Sequence, residues 1–178
     1  AQSLQELQSN ILTVLAAVIR KSPSSVAPVA DMLMGLFFRL LEKKDSAFIE
    51  DDVFYAISAL AASLGKGFEK YLETFSPYLL KALNQVDSPV SITAVGFIAD
   101  ISNSLEEDFR RYSDAMMNVL AQMISNPNAR RELKPAVLSV FGDIASNIGA
   151  DFIPYLNDIM ALCVAAQNTK PENGTLEA

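Results

Sequence analysis

Two carboxylates interrupt apolar stretches of this sequence. Asp143 lies in FGDIASNIG (141 to 149), and Asp100 lies in TAVGFIADISNSL (93 to 105). A lone acid in such a setting could be a catalytic acid, a helix-capping group, or one polar position on a helix whose other side is buried. The spacing of similar residues along the chain helps to choose between these roles.

Catalytic chemistry finds little support in the residue types present. The chain has no His, which removes Ser-His and Cys-His nucleophiles and His-ligated metals. The single cysteine, Cys163, lies in the apolar run IMALCVAA, where we expect a buried, inert thiol. The acidic runs Asp51-Asp52 and Glu106-Glu107-Asp108 fall at expected helix starts, where capping and solvation explain them. We therefore expect no enzyme, no metal site and no cofactor.

Composition narrows the class of partner. The 178 residues are 51% hydrophobic and carry a formal net charge of −7, which is typical of a folded domain with an acidic surface. This charge disfavours nucleic acid and is compatible with basic protein partners. The apolar runs LTVLAAVI and MLMGLFF are too short to span a membrane, so we expect no membrane insertion. A single cysteine is typical of a reducing compartment, the cytosol or the nucleus.

A repeat of about 42 residues organises the chain. Residues 94 to 112 align with residues 137 to 155 at a constant offset of 43, which places Asp100 on Asp143 and Tyr112 on Tyr155. A third copy at 56 to 71 follows at an offset of 41, and a weaker fourth copy at 13 to 29 follows at an offset of 42. A fixed period of this length indicates a solenoid.

Each repeat contains two segments with helical periodicity. Val137, Val140, Phe141, Ile144 and Ile148 recur at i, i+3, i+4, i+7 and i+11, which places them on one face of a helix. Strand-like alternation is absent from the sequence. The predicted helices cover residues 3–20, 26–43, 50–65, 68–86, 89–104, 109–125, 130–148 and 151–167.

Glycine and proline positions agree with these boundaries. Gly65 and Gly149 lie where a helix C-terminus favours positive φ. Ser88 and Pro89 read as the N-cap and first residue of a helix. Pro77 lies inside a predicted helix, where we expect a kink or a short break.

The period matches HEAT or armadillo repeats better than the 34-residue tetratricopeptide repeat. The sequence therefore predicts an all-α superhelical solenoid of about eight antiparallel helices over residues 1–167, with a loop or disordered tail over 168–178. In HEAT order, helices 26–43, 68–86, 109–125 and 151–167 are outer, and the other four line a concave face.

Asp143 falls on a polar strip of its helix, about 115° from the centre of the apolar stripe at 100° per residue. Its neighbours on that strip include Asn147, and the matching strip one repeat earlier carries Asp100 and Asn103. Solvation of a polar helix face explains both acids. Their recurrence at one position of the concave face favours contact with a basic ligand equally well.

At these residues the sequence resembles importin-β (karyopherin-β), a family of nuclear import receptors. The stretches TAVGFIADISNSL and KPAVLSVFGDIASNIGADFIPYL carry the likeness most specifically, and LAASLGKGFEKYLETFSPYLLKAL supports it. The resemblance extends over essentially the whole chain. It looks closest to the C-terminal half of a fungal member, with further repeats expected on both sides.

The resemblance implies a transport receptor that moves between cytoplasm and nucleus through the nuclear pore complex. The concave face of the family binds importin-α or basic cargo and Ran-GTP, and its convex face binds Phe-Gly nucleoporins. The resemblance implies that Asp100 and Asp143 contact the basic ligand, with Asn103 and Asn147 beside them. The chain has no Trp to clamp that ligand, so weak binding is expected.

The same resemblance implies apolar grooves between outer helices for the Phe-Gly motifs. Each candidate lining residue could instead be part of the core, since apolar residues on packed helices usually are. A generic HEAT scaffold for another complex is the alternative function, and it predicts no affinity for Phe-Gly repeats. The candidates for the grooves are Leu83, Met116, Met117, Phe152 and Ile159.

Overall fold

The structure, a computed structural model, describes residues 2–43 and 46–167, and every regular element in these ranges is helical. The expected tail at 168–178 lies outside the described residues. Helical 3-10 turns precede several of the longer helices, at Ala27–Val29, Ser46–Phe48, Gly65–Phe68, Glu106–Phe109 and Gly149–Phe152. The α-helices are α1 (Gln2–Lys21), α2 (Pro23–Val26), α3 (Ala30–Leu41), α4 (Glu50–Leu64), α5 (Glu69–Asn84), α6 (Val90–Leu105), α7 (Arg110–Ser125), α8 (Leu133–Ile148) and α9 (Ile153–Gln167).

The long helices form two layers. The inner helices α1, α4, α6 and α8 each pack closely along the next one, while the outer helices α3, α5, α7 and α9 approach one another much less. A layer of closely packed helices lies on the inside of a curved array, so the inner layer forms the concave face. The predicted all-α solenoid of about eight long helices is confirmed.

Aromatic rings fill the space between the layers. The ring of Phe75 on α5 lies 5.1 Å from that of Phe54 on α4 and 5.0 Å from that of Phe97 on α6, measured between centroids. Phe68, at the end of a 3-10 turn, lies 5.8 Å from Phe97. All four side chains are fully buried. Edge-to-face and tilted pairs at these distances add to the burial energy and join neighbouring repeats into one core.

Three inner helices end in the same way. The residue after each helix has positive φ: 54° at Gly65, 52° at Glu106 and 57° at Gly149. The chain then turns directly into the 3-10 segment that leads to the outer helix. Glycine adopts this conformation without steric cost, and the positive φ expected at Gly65 and Gly149 is confirmed. Glu106 adopts it against the preference of its side chain.

Replacing Glu106 with glycine is therefore expected to stabilise the chain by about 1 kcal/mol, because glycine relieves backbone strain at positive φ. Thermal and urea unfolding followed by circular dichroism measure the change. Glu107→Gly is the matched control, since it removes the same charge from a residue with negative φ. If both variants gain equal stability, the effect comes from charge, and the strain explanation is wrong.

The structure differs from the predicted helices at three prolines. The helix expected from residue 26 begins at Ala30, because Pro28 is preceded by α2 and lies in a 3-10 turn. Helix α6 begins at Val90 with Pro89 as its N-cap, so Ser88 lies one residue outside the expected capping position. The break expected at Pro77 is absent, since α5 is continuous. There Ser76 Oγ donates to Glu73 O at 2.9 Å. This hydrogen bond replaces the one that Pro77 cannot donate, because proline has no backbone N–H.

Two stretches, Pro23–Leu41 and Leu133–Ala165, are apolar and long enough to cross a membrane by length and composition alone. Both stretches contain charged residues, among them Asp31 and Asp143, and the expectation of no membrane insertion stays a prediction. Core helices of soluble proteins pass the same test, so the finding is weak evidence for a span. Both stretches are divided by 3-10 turns at Ala27–Val29 and Gly149–Phe152, and both contribute buried residues to the core.

Candidate protein-interaction surfaces

The predicted basic-ligand residues lie together on the inner helices. Asp100 and Asn103 lie on α6, and Asp143 and Asn147 lie on α8, one repeat away. Asn103 is exposed and the other three are half-buried, so all four belong to a surface rather than to the core. We call these four residues the concave strip.

Asp100 already has a cation beside it. Nη2 of Arg20, on α1, lies 3.9 Å from Asp100 Oδ2. Burial raises the pKa of Asp100 above its ordinary value, and the negative charge of Asp143 acts in the same direction. The charge of Arg20 and a hydrogen bond from Ser58 oppose this increase. Because α4 lies between α1 and α6 in the inner layer, sequence periodicity gave no sign of a contact across it.

The amide of Asn147 is engaged within the inner layer. Its Nδ2 donates to Ser102 Oγ at 3.0 Å and to Asn103 Oδ1 at 2.8 Å. Ser63 and Ser104 occupy the equivalent repeat position, and their hydroxyls donate to Ile19 O at 3.0 Å and to Ala61 O at 3.3 Å. One repeat position therefore ties each inner helix to the preceding one, and Asn147 has a structural role whatever it binds.

A second ladder of hydrogen bonds joins the outer helices. The repeated tyrosines Tyr71, Tyr112 and Tyr155 each donate to an acid on the preceding outer helix. Tyr112 donates to Glu69 Oε1 at 2.9 Å, and Arg111 Nη1 lies 2.8 Å from the same oxygen. Burial, followed by the hydrogen bond to the acid, raises the pKa of Tyr112. The other two acids are Asp31, which Tyr71 contacts, and Asp114, which Tyr155 contacts.

An apolar groove opens between the outer helices α5 and α7. Its volume is about 500 Å³, within the range of small-molecule and side-chain pockets. The floor is formed by buried side chains of α6, including Phe97 and Ile101, and charged residues stand at its mouth. We call it the outer groove. Its lining residues are Glu69, Lys70, Leu72, Glu73, Ser76, Leu79, Phe97, Ile98, Ile101, Phe109, Tyr112 and Met116.

Of the predicted groove residues, only Met116 lines the outer groove. Leu83, Met117, Phe152 and Ile159 are buried in the core, which is the alternative that their position on packed helices left open. Sequence reasoning missed most of the lining, because the groove depends on the separation of α5 and α7. The groove residues of α6 belong to the apolar face that packs into the core. They form the floor of a groove only where the outer helices α5 and α7 are separated.

Comparison with known proteins gives a family. A family model described as "Importin subunit beta-1-like, TPR repeats" matches residues 1–178, the whole chain. The chain belongs to the importin-β family. It is 99% identical to Importin subunit beta-1 of Saccharomyces cerevisiae over 178 residues. The alignment covers 100% of this chain and 21% of that protein. The chain thus spans about a fifth of the length of such a relative, and the expected location in a C-terminal half stays a prediction.

Solved structures of the importin-β family have the same fold. The chain matches a protein chain in a structure of a Kap95:Nup1 complex with a TM-score of 0.96 at 99% sequence identity. The match covers 100% of this chain and 21% of the chain in that complex. A Kap95p chain from a structure with RanGDP matches with a TM-score of 0.86 at the same 99% identity, covering 99% and 21%. The matched segments of these two structures therefore differ in conformation, although each is 99% identical to this chain. The family description names tetratricopeptide repeats, whereas the repeat in this chain measures 41 to 43 residues.

Proposed function

We propose that this chain is a segment of a nuclear transport receptor that carries proteins through the nuclear pore complex between cytoplasm and nucleus. The observation that carries the proposal is the outer groove, an apolar opening between outer helices of an importin-β array. A related protein of 99% identity forms a complex with Nup1, which supports a nucleoporin as the partner. Transport of this kind needs binding and release rather than chemistry, so no enzymatic activity is proposed.

The outer groove fits the side chain of a Phe-Gly motif. Half-buried Leu72 and Met116 offer apolar surface to an aromatic ring, above a floor of Phe97 and Ile101 that belongs to the core. Burying a phenylalanine side chain contributes about 1.5–3 kcal/mol, which gives weak binding at a single groove. Several grooves along a longer receptor would raise the overall affinity through effective concentration. Weak individual contacts also allow rapid release, which suits passage through a pore.

The decisive experiment uses a longer receptor that contains this chain, captured on immobilised Phe-Gly nucleoporin repeats with and without Ran-GTP. Binding to the repeats is expected, and loss of bound importin-α cargo on addition of Ran-GTP is expected in parallel. A receptor that binds neither Phe-Gly repeats nor Ran would favour a generic HEAT scaffold for another complex. The RanGDP structure of a relative with 99% identity supports Ran as a partner in this experiment.

The concave strip is proposed to contact a basic segment of importin-α or cargo. Asp100 and Asp143 lie in adjacent repeats, and their carboxylates are close enough for the charge of one to act on the other. Partly desolvated carboxylates form stronger charge-assisted hydrogen bonds with Arg or Lys than fully exposed ones. Their field also speeds the association of a positively charged chain.

Replacing both Asp100 and Asp143 with lysine is expected to weaken binding of a basic import segment about fivefold, since each half-exposed charge pair contributes about 0.5 kcal/mol. Fluorescence anisotropy of the labelled segment with the longer receptor measures the change. Asp87→Lys with Asp158→Lys is the control, because both acids are exposed outside the strip and the charge change is identical. Equal weakening in both double variants would assign the effect to net charge. Loss of helical signal in the test variant alone would make the two acids structural.

A further inference from the structure

Three groups on successive inner helices make one continuous contact. The guanidinium of Arg20, on α1, lies over the ring of Tyr55 on α4, with 5.2 Å from Cζ to the ring centroid. The same guanidinium faces Asp100 on α6, with 3.9 Å between Nη2 and Oδ2. Arg20 therefore crosses the helix next to its own to reach the concave strip.

Arg20 is loosely held in this position. A separation of 3.9 Å is longer than a hydrogen bond, so the contact with Asp100 is electrostatic only. The Arg20 and Asp100 side chains remain 35% and 33% exposed. Solvent-exposed ion pairs without short hydrogen bonds contribute little to stability. The arrangement is therefore easily displaced by a better-placed cation.

The groups around Arg20 favour binding of an arginine side chain over a lysine side chain. Tyr55 is 46% exposed and offers one aromatic face, against which a planar guanidinium stacks. Asp100 faces Arg20, and Asp143 lies on the next inner helix, near enough for its charge to act on Asp100. Ser58, on α4 and almost fully buried, lies beside Asp100 and favours the charged form of that carboxylate.

We propose that Tyr55, Asp100 and Asp143 form a binding site for an arginine side chain of a basic protein segment, and that Arg20 occupies this site when no ligand is bound. The proposal rests on the proposed function in one respect, namely that the concave strip contacts a basic segment. It adds Tyr55 as the aromatic contact and Arg20 as an internal competitor. Binding then requires Arg20 to move aside, and the strength of its contact sets the affinity of the site.

The test measures binding of a fluorescein-labelled hexa-arginine peptide to the full 178-residue chain by fluorescence anisotropy at low salt. Arg20→Ala and Arg20→Gln are both expected to tighten binding about threefold, because each removes the competitor from the ring and the carboxylates. Arg39→Ala is the matched control, since Arg39 is exposed on the outer helix α3 and the net charge changes equally. This control is expected to tighten binding by less than about 1.5-fold, because distant surface charges are screened.

Tyr55 variants in the Arg20→Ala background test the aromatic contact. Tyr55→Leu is expected to abolish the threefold gain, while Tyr55→Phe is expected to retain it, because only the aromatic face is needed. A hexa-lysine peptide is expected to gain less than hexa-arginine from Arg20→Ala, since its ammonium groups do not stack. Circular dichroism of each variant establishes that the helices are intact.

Three results would overturn the proposal. If Arg20→Ala and Arg39→Ala tighten peptide binding equally, the change in net charge explains the gain in affinity. Weaker binding after Arg20→Ala or Arg20→Gln would make Arg20 a support of the surface rather than a competitor. Retention of the gain in Tyr55→Leu would remove the aromatic contact. Phe-Gly binding at the outer groove, measured on the same variants, reports on the proposed transport function separately, so failure of one is distinguishable from failure of the other.

Discussion

Phe97→Ala is expected to destabilise the chain by about 4 kcal/mol, within the range for removing a fully buried phenylalanine ring from a packed core. Phe97 is completely buried and its ring contacts those of Phe68 and Phe75 at 5.8 and 5.0 Å. Removing it leaves a cavity between α5 and α6 and deletes two aromatic pairs. Urea unfolding followed by circular dichroism measures the loss.

The size of this loss also reports on the outer groove. Phe97 forms part of the groove floor, so its removal should deepen the groove as well as weaken the core. Phe97→Leu is the control, because it fills most of the volume and volume-conserving changes cost less than about 1.5 kcal/mol. If Phe97→Ala costs no more than Phe97→Leu, then the outer helix collapses onto the cavity and the groove is not rigid.

The fold follows from the sequence to a large extent because the repeat multiplies weak signals. Phe109 and Phe152 recur at an offset of 43, as do Tyr112 and Tyr155, and the structure gives each pair the same environment. The phenylalanines are buried, and the tyrosines donate hydrogen bonds to acids of the preceding outer helix. These recurring residues have the same packing role in each repeat. The role predicted for a residue in one repeat therefore applies to its equivalents in the others.

Features unique to one repeat were not predictable in this way. Glu106 occupies a position that is glycine in the neighbouring repeats, and its positive φ becomes evident only from the backbone. The contact of Arg20 with Asp100 joins two inner helices, α1 and α6, that are separated by α4, and no repeat offset describes their separation in sequence. The burial of Met117 beside the groove-lining Met116 depends on which side of α7 faces the core. These are consequences of three-dimensional packing rather than of local pattern.

Met116→Glu is expected to weaken binding of a Phe-Gly peptide about thirtyfold, because an aromatic ring in the outer groove would desolvate the new carboxylate, at a cost of about 1–3 kcal/mol. Met116 is half-buried and lines the groove opposite α5, so the substitution places a charge on the groove wall without entering the core. Nuclear magnetic resonance titration of the full chain with a Phe-Gly peptide measures the dissociation constant.

Met32→Glu is the matched control for this substitution. Met32 is 66% exposed on α3 and does not line the outer groove, yet the change in residue and charge is identical. Its peptide affinity should stay within about twofold of the original, because a fully hydrated surface charge costs little. If Met116→Glu binds as tightly as Met32→Glu, the Phe-Gly ring does not enter between α5 and α7. The transport proposal would then need a different groove, because a ring seated against Met116 cannot accept a buried, unpaired carboxylate without loss of affinity.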